Sequence, residues 1–379
     1  MKINSAAVIG TGFIGTVHVE SIRRTGVKVK GVLSGSSEST KRGAENLKVE
    51  TTYSSLLDIC NDSDITVVHV TSPNSLHYPQ VKELMNAGKH VVCEKPLALS
   101  AKEGADLVAL AEKTGLVNAT CFNTRFYPMV HEARSFVKAD LIGTPRYIKG
   151  HYHQDWLTLD TDWNWRLEEE KAGELRAVAD IGSHLIDQIG FVTGLEVSEV
   201  MADLHTLVKT RLKPTGPVQT FTIDTTSKRE NVAMSSDDAA GILIRFSNGA
   251  RATVSISQIS SGRKNSINWE ISGPKGSLGF DAENPEQLWI GHRGRANEIL
   301  HKDPGMLSAD AAKTAFYPGG HVEGFSETFR GLFERVYADI ESGKQSHTYP
   351  TFADGVRSLQ ITDAIAASSK SGSWTKVVK

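Results

Sequence analysis

The sequence predicts an α/β domain with a parallel, doubly wound sheet, followed by an α+β domain with a large, mostly antiparallel open sheet. Three observations predict it. β-branched runs alternate with helical patterns up to about residue 122, a glycine triplet sits at the first strand-to-helix turn, and period-2 segments joined by tight turns fill much of the rest. The domain boundaries on this reading are 1–122 and 123–379, with the late helices free to pack back on the first domain. A chain of 379 residues exceeds what one hydrophobic core usually supports.

In the first domain the strands are read at 6–9, 27–33, 65–70 and 90–93, and 116–121 completes the sheet. Amphipathic stretches lie between them, as parallel neighbours need crossover connections. Helix starts are legible as well: in Ser100-Ala101-Lys102-Glu103 the serine can cap the amino end while the glutamate reaches back. Past residue 123 the pattern changes to period-2 segments at 146–153, 241–246, 250–257 and 267–272, with Ser247-Asn248-Gly249 as a tight turn. One helical stretch interrupts them at 179–192. Two more helical patterns close the chain, at 324–342 and 352–369, separated by a loop holding Pro350.

Charge excludes several partners. There are 42 Lys plus Arg against 44 Asp plus Glu, a formal charge of -2, so no global field draws the chain to nucleic acid or anionic lipid. Cys60, Cys93 and Cys121 form an odd, widely spaced set in apolar stretches, which predicts buried thiols in a reducing compartment and a cytoplasmic protein. The early apolar run 6–9 is broken by Gly10 and Gly12 before a signal core is complete, and no apolar segment is long enough to span a bilayer. Small-molecule chemistry is what remains.

The first strand runs directly into Gly10-Thr11-Gly12-Phe13-Ile14-Gly15, and the following residues read as a helix. In that context Gly10 permits the tight turn, Gly12 lets a pyrophosphate approach the backbone, and Gly15 lets helix and strand pack closely. The helix amino terminus offers N–H groups and a positive dipole end to the phosphates. The first domain is therefore read as a Rossmann domain that binds a dinucleotide, NAD or NADP. An acidic residue near the tip of the second strand would bond the ribose 2′-hydroxyl of NAD. Here the strand ends Val32-Leu33-Ser34-Gly35-Ser36-Ser37 with no acid. Hydroxyls at Ser34, Ser36 and Ser37, with Lys41 and Arg42 beyond, can accept a 2′-phosphate, which leans the reading toward NADP.

Strand 90–93 is followed by Glu94-Lys95-Pro96, at the edge of the sheet where open α/β folds bind ligands. The preceding strand ends in Thr71-Ser72-Pro73-Asn74, with His77 close behind. Together with the Gly10 loop, these segments resemble the Gfo/Idh/MocA oxidoreductase family. The resemblance extends over essentially the whole chain: Asp180-Ile181-Gly182-Ser183-His184-Leu185-Ile186-Asp187 looks like the family's substrate-domain helix, and 273–280 is similar to a strand turn common there. It implies a nicotinamide-dependent dehydrogenase acting on CH-OH groups of a sugar, sugar derivative or cyclitol, with Lys95, Asp180 and His184 as the catalytic set. Cofactor contacts are expected at Gly10, Gly12, Phe13, Ile14, Gly15, Ser34, Ser36, Ser37, Thr71, Pro73, Asn74, His77, Glu94 and Lys95. A homodimer or homotetramer is expected, with the exposed face of the carboxyl-terminal sheet as the usual interface.

The chemistry suits these residue types. Asp180 and His184 are four apart, so on a helix they share one face. Oxidising a carbinol requires removal of the hydroxyl proton as hydride leaves the adjacent carbon, so a base of near-neutral pKa must touch the oxygen, and histidine is the natural one. On this reading His184 takes the proton, Lys95 stabilises the developing negative charge on the same oxygen, and Asp180 positions the substrate or the histidine.

On the substrate side, His151-Tyr152-His153-Gln154-Asp155-Trp156 continues a strand pattern, placing His151, His153 and Asp155 on one face and Tyr152 and Trp156 on the other. Asp162-Trp163-Asn164-Trp165-Arg166 follows. Indole faces cover C–H surface and polar groups fix hydroxyls, which suits a polyhydroxylated ligand. Candidate substrate contacts are Asn123, Arg125, His153, Asp155, Trp163, Arg166 and His321. Alternating histidines on a strand can also ligate zinc. Hydride transfer needs no metal and the family resembled uses none, so none is expected. Two other readings stay open: a tightly held cofactor used for sugar-sugar oxidoreduction or redox-assisted glycoside cleavage, and a dinucleotide-binding sensor that turns nothing over.

Overall fold

β1 (Ser5–Ile9) is buried along its whole length and apolar from Ala6 to Ile9, as a central strand covered on both faces must be. It pairs in parallel with β2 (Val29–Leu33) on one side, and β3 (Thr51–Thr52) extends the sheet beyond β2. On the other side lie β4 (Ile65–Val70), β5 (His90–Cys93) and β6 (Asn118–Thr120), again all parallel. The order β3-β2-β1-β4-β5-β6 reverses direction between β1 and β4, and such a switch point opens a ligand crevice at the carboxyl ends of the strands. The structure describes residues 2–216 and 228–378.

In this sheet the strand limits differ from the sequence pattern by two residues or more at β2 and β6. β2 begins at Val29 rather than 27, after a turn in which Val27 donates its N–H to the Thr25 hydroxyl. β6 covers three residues of 116–121, since the Val117 N–H goes to the His90 ring instead of a neighbouring strand. β3 was not expected at all, because two residues carry no period.

The second unit is built on a nine-stranded sheet. Its strands are β7 (Tyr147–His153), β8 (Val197–His205), β11 (Ala239–Phe246), β12 (Arg251–Ser257), β13 (Ser266–Ser272), β14 (Ser277–Asp281), β15 (Gln287–Gly291), β16 (Glu298–His301) and β17 (Thr375–Lys376). A separate hairpin pairs β9 (Thr210–Pro214) with β10 (Arg229–Ala233). The sheet order is β16-β15-β14-β13-β7-β12-β11-β8-β17, antiparallel throughout except where β7 runs parallel to β12. Period-2 burial is visible in β11 and β12, whose alternate residues are buried. One face carries Ile148, Tyr152, Ile256 and Trp269 into a core shared with the helices Pro128–Lys138 and Ser183–Thr193.

Contacts divide the chain into Met1–Asn123 with Glu170–Gly173 and Phe329–Leu359, and Thr124–Glu169 with Glu174–Thr328 and Gln360–Lys379. The late helices Phe325–Ser342 and Phe352–Ser371 thus each give residues to both units. Among the described residues no helix is long and apolar enough to cross a membrane, and the three cysteines are free thiols.

Candidate active site

The glycine loop is shaped by close approaches. Gly10 has φ +99°, and a Cβ there would lie 2.6 Å from the carbonyl oxygen of Thr71. The Thr71 hydroxyl donates in this crowded spot, to the carbonyl of Ile9 at 2.9 Å or of Gly10 at 3.1 Å. A Cβ on Gly15 would sit 2.1 Å from the Gly10 carbonyl oxygen, so strand and helix meet only over a hydrogen. Gly12 faces open space and precedes the helix Phe13–Arg24, which has no side-chain cap and no acid in its first turn. That combination fits an anion approaching the backbone. Phe13 is exposed beside it.

At the tip of β2, the Ser34 N–H bonds the Thr40 hydroxyl at 2.9 Å. Ser36 caps the helix Ser37–Leu47 in a capping box with Ser39, so its hydroxyl is engaged locally. Ser37 and Lys41 are exposed, while Arg42 reaches Glu38 at 3.8 Å.

The loops after β4 and β5 are fastened to each other. His77 is buried, with Nδ1 2.7 Å from the carbonyl oxygen of Pro96 and Nε2 2.8 Å from that of Ser72. The Asn74 amide donates to the Ala172 carbonyl at 2.9 Å. Pro73 is half-buried just before it. Lys95 follows Glu94, whose carboxylate accepts from the Lys95 N–H at 3.2 Å and lies 3.1 Å from His18 Nε2. Despite the cost of burial, the His18 contact, His18 charge and Lys95 charge hold the Glu94 carboxyl down at about 2. His77 and Glu94, expected to touch the cofactor, are both buried with their side-chain polar atoms bonded within the protein, where they shape the lysine loop. His18, Glu94 and Cys121 bring a nitrogen, an oxygen and a sulfur within 4.8 Å of one another. Proton sharing accounts for these contacts, since the Cys121 thiol and the His18 ring both bond Glu94.

In the second unit Asp180 does not lie in a plain α-helix as expected. Val178–Gly182 form a π-turn, and the α-helix proper is Ser183–Thr193. The turn is anchored by Asp237, whose carboxylate accepts from the N–H groups of Arg176 at 2.6 Å and Val178 at 2.8 Å. Wide turns of this kind recur at functional sites. Asp180 accepts from Arg166 Nε at 3.0 Å and from the Gln258 amide at 2.9 Å. The Gln258 carbonyl in turn accepts from Arg176 at 2.9 Å, which fixes the orientation of that amide. Behind it, Arg176 and Arg211 both pair with Asp238, and all three are essentially buried. His184 is buried, with Nδ1 3.4 Å from the Thr124 hydroxyl and its ring 6.5 Å from that of Tyr152.

The remaining candidates separate. Arg125 grips Asp187 with two bonds of 2.8 and 2.5 Å, one helical turn beyond His184. Arg166 stacks on Trp165 at 4.5 Å. Asn123 is buried at the start of a short 3-10 turn. His153 is not brought to this cluster: strand alternation puts it on the opposite face from Tyr152, bonded to Ser255 at 3.0 Å and next to His151 at 4.5 Å. Asp155 pairs with Lys264, Trp163 lies under Lys213, and His321 is exposed, with its carbonyl accepting from Lys302. Gln258, Arg176 and Asp237 were missed, because nothing local in the sequence marks which loop residues meet a distant helix, and Tyr152 was named only for its place on the strand.

A glycine cradle at the switch point of a parallel sheet, with a lysine at a neighbouring strand end, defines the class of Rossmann-fold nicotinamide oxidoreductases. Two family descriptions match: "Oxidoreductase family, NAD-binding Rossmann fold" over residues 5–121 and "GFO/IDH/MocA C-terminal domain" over residues 130–279. The chain belongs to the Gfo/Idh/MocA oxidoreductase family. It is 28% identical over 396 residues to levoglucosan dehydrogenase of Pseudarthrobacter phenanthrenivorans, covering 100% of this chain and 99% of that protein. A solved levoglucosan dehydrogenase in complex with NADH and L-sorbose superposes with a TM-score of 0.89 at 28% identity, covering all of both chains. An oxidoreductase domain protein from Kribbella flavida gives a TM-score of 0.89 at 29% identity, also over both whole chains.

Proposed function

We propose that this enzyme transfers hydride between a nicotinamide dinucleotide and a carbinol or carbonyl carbon of a sugar, sugar derivative or cyclitol. The observation that carries the reading is the glycine cradle joined to the fastened lysine loop, in a chain whose full-length relative is a levoglucosan dehydrogenase. The dinucleotide supplies the hydride acceptor or donor. Lys95 stabilises negative charge on the substrate oxygen, His184 removes or returns its proton, and Asp180, preset by Arg166 and Gln258, orients the substrate. The arginine and indole groups at Arg125, Trp165 and Arg166 suit a ligand rich in hydroxyls. A solved relative complexed with NADH and levoglucosan, and a relative named 1,5-anhydro-D-fructose reductase, support that substrate class.

For the cofactor we place NADP ahead of NAD: no carboxylate stands at the tip of β2, and Ser37 and Lys41 are exposed there. The relatives solved with NADH show that the fold also takes the other form. Free thiols favour the cytoplasm, and the open face of the nine-stranded sheet, with Tyr147 and Leu243 exposed, favours a homodimer or homotetramer. A panel of sugars and cyclitols assayed with NAD and NADP, with the mass read by light scattering, tests all three. We expect reduced nicotinamide to form with at least one panel member, faster with NADP, from an oligomer. No turnover with any, a large preference for NAD, or a monomer would each overturn the corresponding part.

A further inference from the structure

A buried polar chain behind Glu94 has no part in the roles given above, and all of it belongs to the first unit. His18 stands on the helix Phe13–Arg24, three residues past Gly15, and His69 stands on β4. Tyr337 comes from the late helix Phe325–Ser342. Both imidazoles are 0% exposed. Tyr337 OH lies 2.8 Å from His69 Nε2, His69 Nδ1 lies 3.0 Å from His18 Nδ1, and His18 Nε2 lies 3.1 Å from Glu94 Oε1. The other oxygen of Glu94 accepts the Lys95 N–H at 3.2 Å.

The protons in this chain can be assigned. A carboxylate only accepts, so His18 Nε2 carries a hydrogen. One hydrogen must lie between the two Nδ1 atoms. Burial holds His69 well below the usual histidine range, so it is neutral. With that hydrogen on His69 Nδ1, the His69 Nε2 is bare and accepts from the Tyr337 hydroxyl. Every bond is then satisfied in one direction, from Tyr337 to Glu94. The groups facing this chain are the Cys121 and Cys93 thiols, Lys95, and the rings of Phe329 and Phe333, 5.3 and 4.9 Å from His18.

We propose that His18 is a positioning residue for Lys95: its ring holds the Glu94 carboxylate against the Lys95 N–H, and the bonds back through His69 to Tyr337 fix its tautomer. The inference rests on the reading of Lys95 as catalytic. The ammonium sits at the end of a flexible stem, so its placement is only as good as that of the backbone it grows from. His18 stands on the helix that follows the glycine loop, and its bond to Glu94 acts on the strand end that presents the lysine.

The test compares His18→Leu and His18→Gln with wild type by steady-state kinetics and dinucleotide titration, and reads imidazole tautomers in the wild type by 15N NMR. We expect His18→Leu to lower kcat about tenfold or more while dinucleotide Kd stays within about twofold, because misplacing a reacting group by an ångström is enough for such a loss. His18→Gln, whose amide can still donate to Glu94, recovers part of it. The wild-type spectrum should show His18 protonated at Nε2 and His69 at Nδ1. Unchanged kcat in His18→Leu, a parallel loss of dinucleotide affinity, or the opposite tautomers would each overturn the proposal. Should His18→Leu not fold, the Gln variant and the spectrum decide. Normal turnover by Lys95→Ala would instead overturn the role of the lysine, leaving the tautomers as assigned.

Discussion

Gly15 and Gly12 belong to one motif and meet different physical demands. A methyl on Gly15 would press into the Gly10 carbonyl oxygen, whereas one on Gly12 meets nothing within 4 Å. Gly15→Ala should therefore destabilise the free protein by about 1–3 kcal/mol, the usual cost of overpacking, and also weaken dinucleotide binding. Gly12→Ala should leave the free protein's Tm unchanged while reducing the upward shift that dinucleotide produces. Thermal melts of both variants with and without dinucleotide check this, and equal behaviour of the two would contradict the division of labour. At this scale the sequence was informative wherever the backbone demanded a particular residue, as in the glycine loop. At His77 and Glu94 polar type suggests ligand contact, and what the structure adds is that both side chains are buried in bonds that fasten the lysine loop.

Strands and helices were legible where a period could be counted. β1, β4 and β5 lie where the β-branched runs put them, and the parallel sheet followed from their alternation with helices. The π-turn at Val178–Gly182 was not legible, since its anchor is the Asp237 carboxylate from elsewhere in the chain. Alternation along β7 was read correctly, but which face meets the helix bearing His184 depends on packing, and the structure gives that face to Tyr152. The consequence for His153 is a pH dependence. Burial, then the charges of His151 and Arg263, lower its pKa to about 4, below the model-peptide 6.5. The unfolded chain therefore binds the proton more readily, and the stability contribution present above pH 6.5 is lost as pH falls toward 4. His153→Gln should flatten the fall of Tm between those values, with some slope left by His151, whose pKa is also lowered by burial. Parallel Tm curves for variant and wild type would contradict the assignment.

Across the whole molecule, local pattern gave two fold classes in the right order along the chain, and the nine-stranded sheet is mostly antiparallel as the turns implied. Associations over long sequence separation were beyond its reach. The Phe352 N–H bonds Asn118 across 234 positions, and the tyrosine that ends the His18 chain lies 268 positions from His69. No periodicity records such pairings, so nothing in the sequence groups Glu170–Gly173 with the first unit, whereas Phe329–Leu359 lies in the late helices that the sequence leaves free to pack back on it. The account as a whole depends on hydride transfer assisted by Lys95. The most direct test premixes wild type or Lys95→Ala with dinucleotide, adds the best substrate of the panel, and follows reduced-nicotinamide absorbance, with binding measured on the same samples. The account predicts that Lys95→Ala binds dinucleotide as wild type does and turns over about 100-fold or more slowly, the loss expected when a group stabilising a developing oxyanion is removed. Wild-type turnover by Lys95→Ala, with binding intact, would contradict it.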